Sequence, residues 1–143
     1  MPYNFLDDIA IADIAFEAWG DTLEEMFVSA ADAAMNVMVA NLDGIERIEN
    51  RNISLEAEKM DMLLFDFLQE LIFLKDAEML LLRVENVKIG RGDDRCFLSA
   101  GAYGQKIDPE KHDLIVDVKA VTLHKFKVEH TPRGWETLVV LDI

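Results

Sequence analysis

Two aspartates stand in apolar runs from which their carboxylates could together bind a metal ion. Asp13 lies in "IAIADIAF" (residues 9–16) and Asp142 in "LVVLDI" (residues 138–143). A carboxylate in an apolar strand must be solvated, paired or metal-bound, because burying it alone is very costly. If the two strands are neighbours, both carboxylates would meet near the main-chain oxygens and terminal carboxylate of Ile143. The alternative is that Asp13 lies on a solvated sheet face and Asp142 at a frayed chain end.

Oxygen donors of this kind, without histidine or cysteine, favour Ca²⁺, Mg²⁺ or Mn²⁺ over zinc. Conventional catalytic motifs are missing, since the sequence contains no GxSxG, HExxH or paired CxxC pattern. The glycines of "GRGDD" and "GAYGQK" do not follow the spacing of a phosphate-binding loop. The residues alone therefore predict no catalytic apparatus, and the metal hypothesis depends on the aspartate pair.

Five further residues could contribute to function. Lys119 and His124 share the strand "KAVTLH", with Lys119 on its polar side and His124 on its apolar side. A solvated lysine and a hydrogen-bonded core histidine are the ordinary interpretations, and binding of a partner protein is the functional one. His112 and His130 are predicted at the surface, in a loop and a turn. Cys96, the only cysteine, is predicted to be a small buried residue without catalytic neighbours.

Composition narrows the range of functions. The 143 residues carry 28 Asp and Glu against 14 Lys and Arg, a net charge of −14. This acidity argues against strong direct nucleic-acid binding and suits a basic protein partner or a hard cation, although solubility alone could explain it. The start "MPYNFLDD" does not resemble a signal peptide, and the apolar stretch 55–74 carries too many charges to span a membrane. We therefore expect a soluble cytoplasmic protein.

Periodicity predicts an α+β fold in one domain over residues 1–143, with an antiparallel sheet and two helices packed on one face. The first helix should begin at a capping box formed by Asp21 or Thr22 with the following glutamates. Its Met- and Ala-rich side is predicted to be core rather than a binding groove. The predicted elements are a strand at 9–19, the first helix ending near Gly44, a polar strand or turn at 45–53, a second helix from Ser54 to about Leu74, strands at 80–89, 95–104, 115–130 and 135–143, and a loop at 107–113.

Six stretches of the sequence match the motifs of one known family. In order along the chain they are 12–38, 63–78, "IDPEKH" at 107–112, "KAVTLH" at 119–124, "GW" at 134–135 and "DI" at 142–143. With these stretches the sequence resembles the archease family over nearly its whole length, most clearly in the C-terminal third. By this resemblance the metal site of the family corresponds to Asp13, Asp142 and the main chain of Ile143, with calcium the expected cation and Mg²⁺ or Mn²⁺ as alternatives. One departure is that Ala10 and Ile11 replace the His-Thr that usually precedes the first Ala-Asp of the family.

The resemblance implies an accessory function rather than an enzyme. Archeases assist the RNA-splicing ligase that joins a 2′,3′-cyclic phosphate or 3′-phosphate end to a 5′-hydroxyl end, as in tRNA splicing. They promote the guanylylation of the ligase by GTP and Mn²⁺ and keep it turning over. The partner would thus be the ligase, bound transiently through an acidic tip. Two alternatives are a stand-alone metal-dependent phosphohydrolase and a general protein-binding chaperone that uses the first helix.

Overall fold

The computed structural model describes residues 2–6 and 13–143. The N-terminal part of the predicted first strand, with Ala10 and Ile11, therefore lies outside the described residues. The secondary structure elements are β1 (Tyr3–Leu6), β2 (Asp13–Gly20), α1 (Leu23–Met38), a 3₁₀ turn (Leu42–Gly44), β3 (Glu49–Ala57), α2 (Met60–Glu78), β4 (Leu80–Arg91), β5 (Cys96–Lys106), β6 (Ala120–Thr131) and β7 (Gly134–Asp142).

The strands form two antiparallel sheets, with the orders β1-β2-β7-β6 and β3-β5-β4. Each helix contacts strands of both sheets, α1 packing mainly on β2 and β4 and α2 on β6 and β3. The predicted α+β class is confirmed, with the strands divided between two sheets instead of one. The arrangement brings β2 and β7, the strands that contain the two aspartates, side by side. No helix within the described ranges combines the length and the apolar character that crossing a membrane requires.

The Met- and Ala-rich side of α1 forms part of the protein core. Met26, Phe27 and Met35 are completely buried, and Phe27 packs against Phe67 of α2 with ring centroids 5.8 Å apart. This confirms the prediction that these methionines fill the core. A chaperone would have to bind its clients through another surface, because this face of α1 is already covered in the folded protein.

The first helix differs from its predicted bounds at its C-terminal end and the second at both ends, since α2 continues to Glu78 beyond the predicted Leu74. The first helix ends at Met38 rather than Gly44, because Val39 is extended and forms a bridge with Leu114. The prediction that Ser54 caps the second helix was wrong, since Ser54 lies in β3 and α2 begins at Met60. Side chains of β3 alternate between exposed and covered positions, as expected for a strand. Its many polar residues hide this period in the sequence.

The predicted capping box is present at the start of α1. The Thr22 hydroxyl accepts a hydrogen bond from the Glu25 backbone N–H at 3.1 Å, and the Glu25 carboxylate accepts one from the Asp21 N–H at 2.9 Å. One N–H group of the first helical turn and the N–H of Asp21, which precedes the N-cap, are therefore satisfied. Glu24 and Glu25 add favourable negative charge in the first turn.

We expect Thr22→Ala to lower the free energy of unfolding by about 1 kcal/mol, because the Glu25 N–H loses its side-chain acceptor. Urea denaturation of the two proteins measures this difference. Ser99→Ala is the control, since Ser99 is exposed in β5 and should change stability by less than about 0.5 kcal/mol. Equal losses in the two variants would contradict the capping role of Thr22.

Candidate metal centre

Asp13 and Asp142 are directly opposite each other where β2 and β7 pair. The register of β2 on β7 begins with the pair Asp13–Asp142, and on the other side of β7 Asp142 is paired with Ala120 of β6. Side chains directly opposite each other in an antiparallel pair lie on the same face of the sheet. The next pair, Ile14 and Leu141, belongs to the hydrophobic core. The two carboxylates therefore project from the other face, and both aspartates are half-buried.

The two opposed carboxylates carry like charges on one face of the sheet. The β-carbons of directly opposed residues are about 4.5–5.5 Å apart, and like charges at that separation are destabilising. No lysine, arginine or histidine of residues 2–6 and 13–143 forms an ion pair with either carboxylate. A divalent cation between the two aspartates would relieve the repulsion, so the residues present fit such an ion.

The donor set would be small and made of oxygen. Within the described part of the chain, no three or more His, Cys, Asp or Glu side chains come together as a metal-binding group. Among the described residues, Asp13 and Asp142 would supply the side-chain ligands, and other ligands would be main-chain oxygens, such as that of Ile143, and water. Hard cations such as Ca²⁺ accept this type of coordination. The metal site itself remains a prediction.

Lys119 lies at the same end of the sheet. Its backbone N–H donates a hydrogen bond of 2.8 Å to the main-chain oxygen of Asp142. The lysine side chain is exposed, as the sequence predicted, but Lys119 immediately precedes β6 and is not part of a strand. The prediction that the strand begins at residue 115 was wrong, because β6 begins at Ala120. The main chain of Lys119 thus holds the end of β7, while its side chain extends from a position next to the aspartate pair.

The prediction of a core position for His124 was wrong, because β6 bulges before it reaches that residue. The β6–β7 register shifts between Thr122 and Lys127, and Lys125 has a left-handed φ of 55°. The Thr122 hydroxyl donates to the Val140 carbonyl at 3.0 Å and accepts from the His124 N–H at 3.3 Å. His124 is consequently exposed, four residues along β6 from Ala120, the residue that pairs with Asp142. Its role in partner binding remains a prediction.

The other two histidines and the cysteine have distinct surroundings. His112 is only 5% exposed, which contradicts the predicted surface position, and its Nδ1 accepts a hydrogen bond from the Asp108 N–H at 2.9 Å. This fixes the proton on Nε2, which is buried with no partner among the described residues. His130 is exposed and packs on Trp135 with ring centroids 4.8 Å apart. Cys96 is buried, as predicted.

Sequence reasoning gave no role to Lys75, although it is one of the most unusual residues of the structure. It is 4% exposed, and its ammonium donates to Asp117 at 2.5 Å and to the Val118 carbonyl at 2.8 Å, with Asp76 also 2.5 Å away. Burial lowers the pKa of Lys75, but the bonds to Asp117 and Asp76 outweigh it and raise the pKa overall. The only sequence signal was a lysine on the inward side of an apolar helix, in "LIFLKD".

The fold and the aspartate pair define a small α+β protein with two opposed carboxylates at one end of its larger sheet. The model of the Archease protein family (MTH1598/TM1083) matches residues 3–143. The archease of Pyrococcus abyssi is 42% identical over 133 residues, covering 92% of this chain and 93% of that protein. The chain therefore belongs to the archease family, as the resemblance indicated.

Solved structures agree with this assignment. The solution structure of protein 1598 of Methanobacterium thermoautotrophicum has a TM-score of 0.85, with 35% identity and 99% of each chain covered. A Thermotoga maritima crystal structure, described as "an archease, possible chaperone", has a TM-score of 0.61, with 98% of each chain covered. At 22% identity, the second comparison supports the fold alone.

Proposed function

We propose that this protein is an accessory factor that stimulates an RNA-splicing ligase, promoting its GTP-dependent guanylylation and its multiple turnover in tRNA splicing. The observation that carries the proposal is the direct pairing of Asp13 with Asp142 at one end of the sheet. Membership of the archease family supports it, because accessory action on this ligase is what the resemblance implies. The protein would activate the ligase without being a catalyst itself.

The residues around the aspartate pair have separate tasks in this proposal. Asp13, Asp142 and the main-chain oxygen of Ile143 would hold the cation, with Ca²⁺ expected and Mg²⁺ or Mn²⁺ as alternatives. A divalent cation at this position would neutralise phosphate oxygens of the nucleotide in the ligase. Pairing of β7 with both β2 and β6 fixes the separation of the two carboxylates, and the Lys119 N–H secures the Asp142 carbonyl. The side chains of Lys119 and His124 would contact the partner.

The charge of the protein suits a basic partner. A protein with a net charge of −14 is attracted to the electropositive cleft of an RNA-binding enzyme, and such attraction mainly raises the association rate. The same charge disfavours direct binding to RNA. We further propose that the protein acts in the cytoplasm, where a free cysteine such as Cys96 stays reduced.

The proposal is tested by measuring guanylylation of the cognate ligase by GTP and Mn²⁺ with and without this protein. We expect faster guanylylation, and repeated turnover at substoichiometric amounts of the protein. A guanylylation rate that stays unchanged even at equimolar protein would contradict the proposal.

The same aspartate pair could instead serve a stand-alone metal-dependent phosphohydrolase. That activity would also need a general base and groups that bind phosphate near the metal. Release of phosphate from GTP by the protein alone, without the ligase, would favour this second candidate. Suppression of the aggregation of unrelated unfolded proteins, followed by light scattering, would favour a chaperone.

A further inference from the structure

The buried Lys75 joins helix α2 to the segment of residues 113–119 that leads into β6, which we term the lead-in segment. We propose that Lys75 is a positioning residue for the aspartate pair, because it holds the lead-in segment in the place from which Lys119 bonds Asp142. This inference rests on the proposed function, since it concerns the same site. Its test is nevertheless independent of the ligase.

The Lys75 ammonium makes two bonds to the lead-in segment. It donates to Oδ1 of Asp117 at 2.5 Å and to the Val118 carbonyl at 2.8 Å. The bond to Val118 is buried, and the Val118 side chain is itself 0% exposed. The Asp117 carboxylate is 69% exposed, so that water weakens its contact with the ammonium. The buried bond to the Val118 carbonyl should therefore contribute more to the position of the segment.

Apart from Val118, whose side chain lies in the core, the lead-in segment is only lightly held. Its apolar residues Leu114, Ile115 and Val116 are 42%, 56% and 36% exposed, so they provide little packing. A cavity of about 220 Å³ is lined by these three residues and by Lys75. Two backbone bonds attach the start of the segment to the end of α1, from the Ala40 N–H to the Asp113 carbonyl and from the Ile115 N–H to the Met38 carbonyl, both 2.9 Å long.

The far end of the segment is where Lys75 matters for the aspartates. Lys119 follows Val118 directly, and its N–H donates to the main-chain oxygen of Asp142 at 2.8 Å. Without Lys75 the Val118 carbonyl would be buried and unpaired, a costly state that movement of the segment toward water would relieve. Such a movement would withdraw the Lys119 donor from Asp142 and loosen the end of β7 opposite Asp13.

Amide hydrogen exchange followed by NMR tests this coupling directly. In Lys75→Met, we expect the Lys119 amide to exchange about tenfold faster, beyond any change in the slowest amides of the β3-β5-β4 sheet. Those reference amides report global unfolding. Asp117→Asn, a milder change, should shift the Lys119 amide in the same direction by a smaller factor. Unchanged exchange at Lys119 in a folded Lys75→Met protein would overturn the inference.

Asp76→Asn is the matched control. Asp76 lies at the same 2.5 Å from the Lys75 ammonium as Asp117, and its replacement removes the same charge, but it belongs to α2 and not to the lead-in segment. We expect no acceleration of exchange at Lys119 in this variant. Acceleration equal to that in Asp117→Asn would mean that the charge around Lys75, and not its bond to the segment, is what matters.

Calcium titration of the same proteins separates this inference from the proposed function. We expect Lys75→Met to bind Ca²⁺ several-fold more weakly than the wild type while Asp76→Asn binds it equally well. If the wild type binds no Ca²⁺, the metal site fails, and the exchange of the Lys119 amide still decides whether Lys75 positions Asp142. If Lys75→Met matches the wild type in both Ca²⁺ affinity and exchange, the inference is wrong.

Discussion

Asp13→Asn or Asp142→Asn should lower the affinity of the protein for Ca²⁺ by about 100-fold or more, because affinity at such sites follows the number of charged ligands. Each substitution removes one of only two carboxylates that the paired ends of β2 and β7 supply. Asparagine keeps the shape of the side chain and one oxygen, so that the loss reflects charge rather than cavity or backbone change. Isothermal titration calorimetry with Ca²⁺ measures the effect.

Asp93→Asn is the control for this prediction. Asp93 is exposed in the turn between β4 and β5 in the other sheet, and its substitution changes the net charge by the same amount. Its Ca²⁺ affinity should equal that of the wild type. Wild-type Ca²⁺ affinity in both Asp13→Asn and Asp142→Asn would mean that the two aspartates are ordinary solvated residues and not metal ligands.

Gly104→Ala should destabilise the protein by about 3 kcal/mol or more, at the upper end of the usual cost of overpacking. Gly104 lies in β5, the central strand of the smaller sheet, where it is paired with Leu82 and Glu49. An added β-carbon would lie 1.8 Å from the Leu81 carbonyl oxygen and 2.9 Å from its carbon. Both are backbone atoms, so relief requires the β4–β5 pairing to separate. Chemical denaturation measures the loss. It would be a large part of the free energy of unfolding, which is only about 5–15 kcal/mol for a typical protein.

Gly101→Ala makes the same substitution three residues earlier in the same strand. Its β-carbon would meet the Glu85 carbonyl oxygen at 3.7 Å, which is an ordinary contact. The free energy of unfolding should change by less than about 1 kcal/mol, because alanine lowers the conformational entropy of the unfolded chain and meets no close contact in the folded protein. Similar losses of stability in both variants would show that the close approach of the Leu81 backbone is not the reason for a glycine at position 104.

Sequence patterns predicted most of the fold because most elements carry a clear period. The β4–β5 hairpin, the capped start of α1 and the final strand were all anticipated. The last part of β3 was mistaken for the start of a helix, because Ser54 is a residue type that commonly caps helices. The covered side of β3 holds Arg51 as well as Ile53 and Ala57, so the strand period is weak in the sequence. Arg51 is half-covered because it pairs with Glu78 at 2.6 Å, a partner 27 residues away that local patterns do not contain.

The aspartate pair could be anticipated, whereas the groups that support it could not. A lone carboxylate in each of two apolar strands is visible in the sequence, and the pairing of those strands made the two residues meet. The bulge that exposes His124 depends on a positive φ at Lys125, a residue type that does not signal such a conformation. Lys75 has its segment partners 42 and 43 residues away, so only the tertiary structure shows its role.

In the proposed function, the aspartate pair acts on the ligase. The rate of guanylylation of the cognate ligase by GTP and Mn²⁺ tests this in the presence of wild-type protein, of the Asp13→Ala, Asp142→Ala double variant and of Asp93→Asn. We predict stimulation by the wild type and by Asp93→Asn, and none by the double variant. Stimulation of equal size by a folded double variant would contradict the claim.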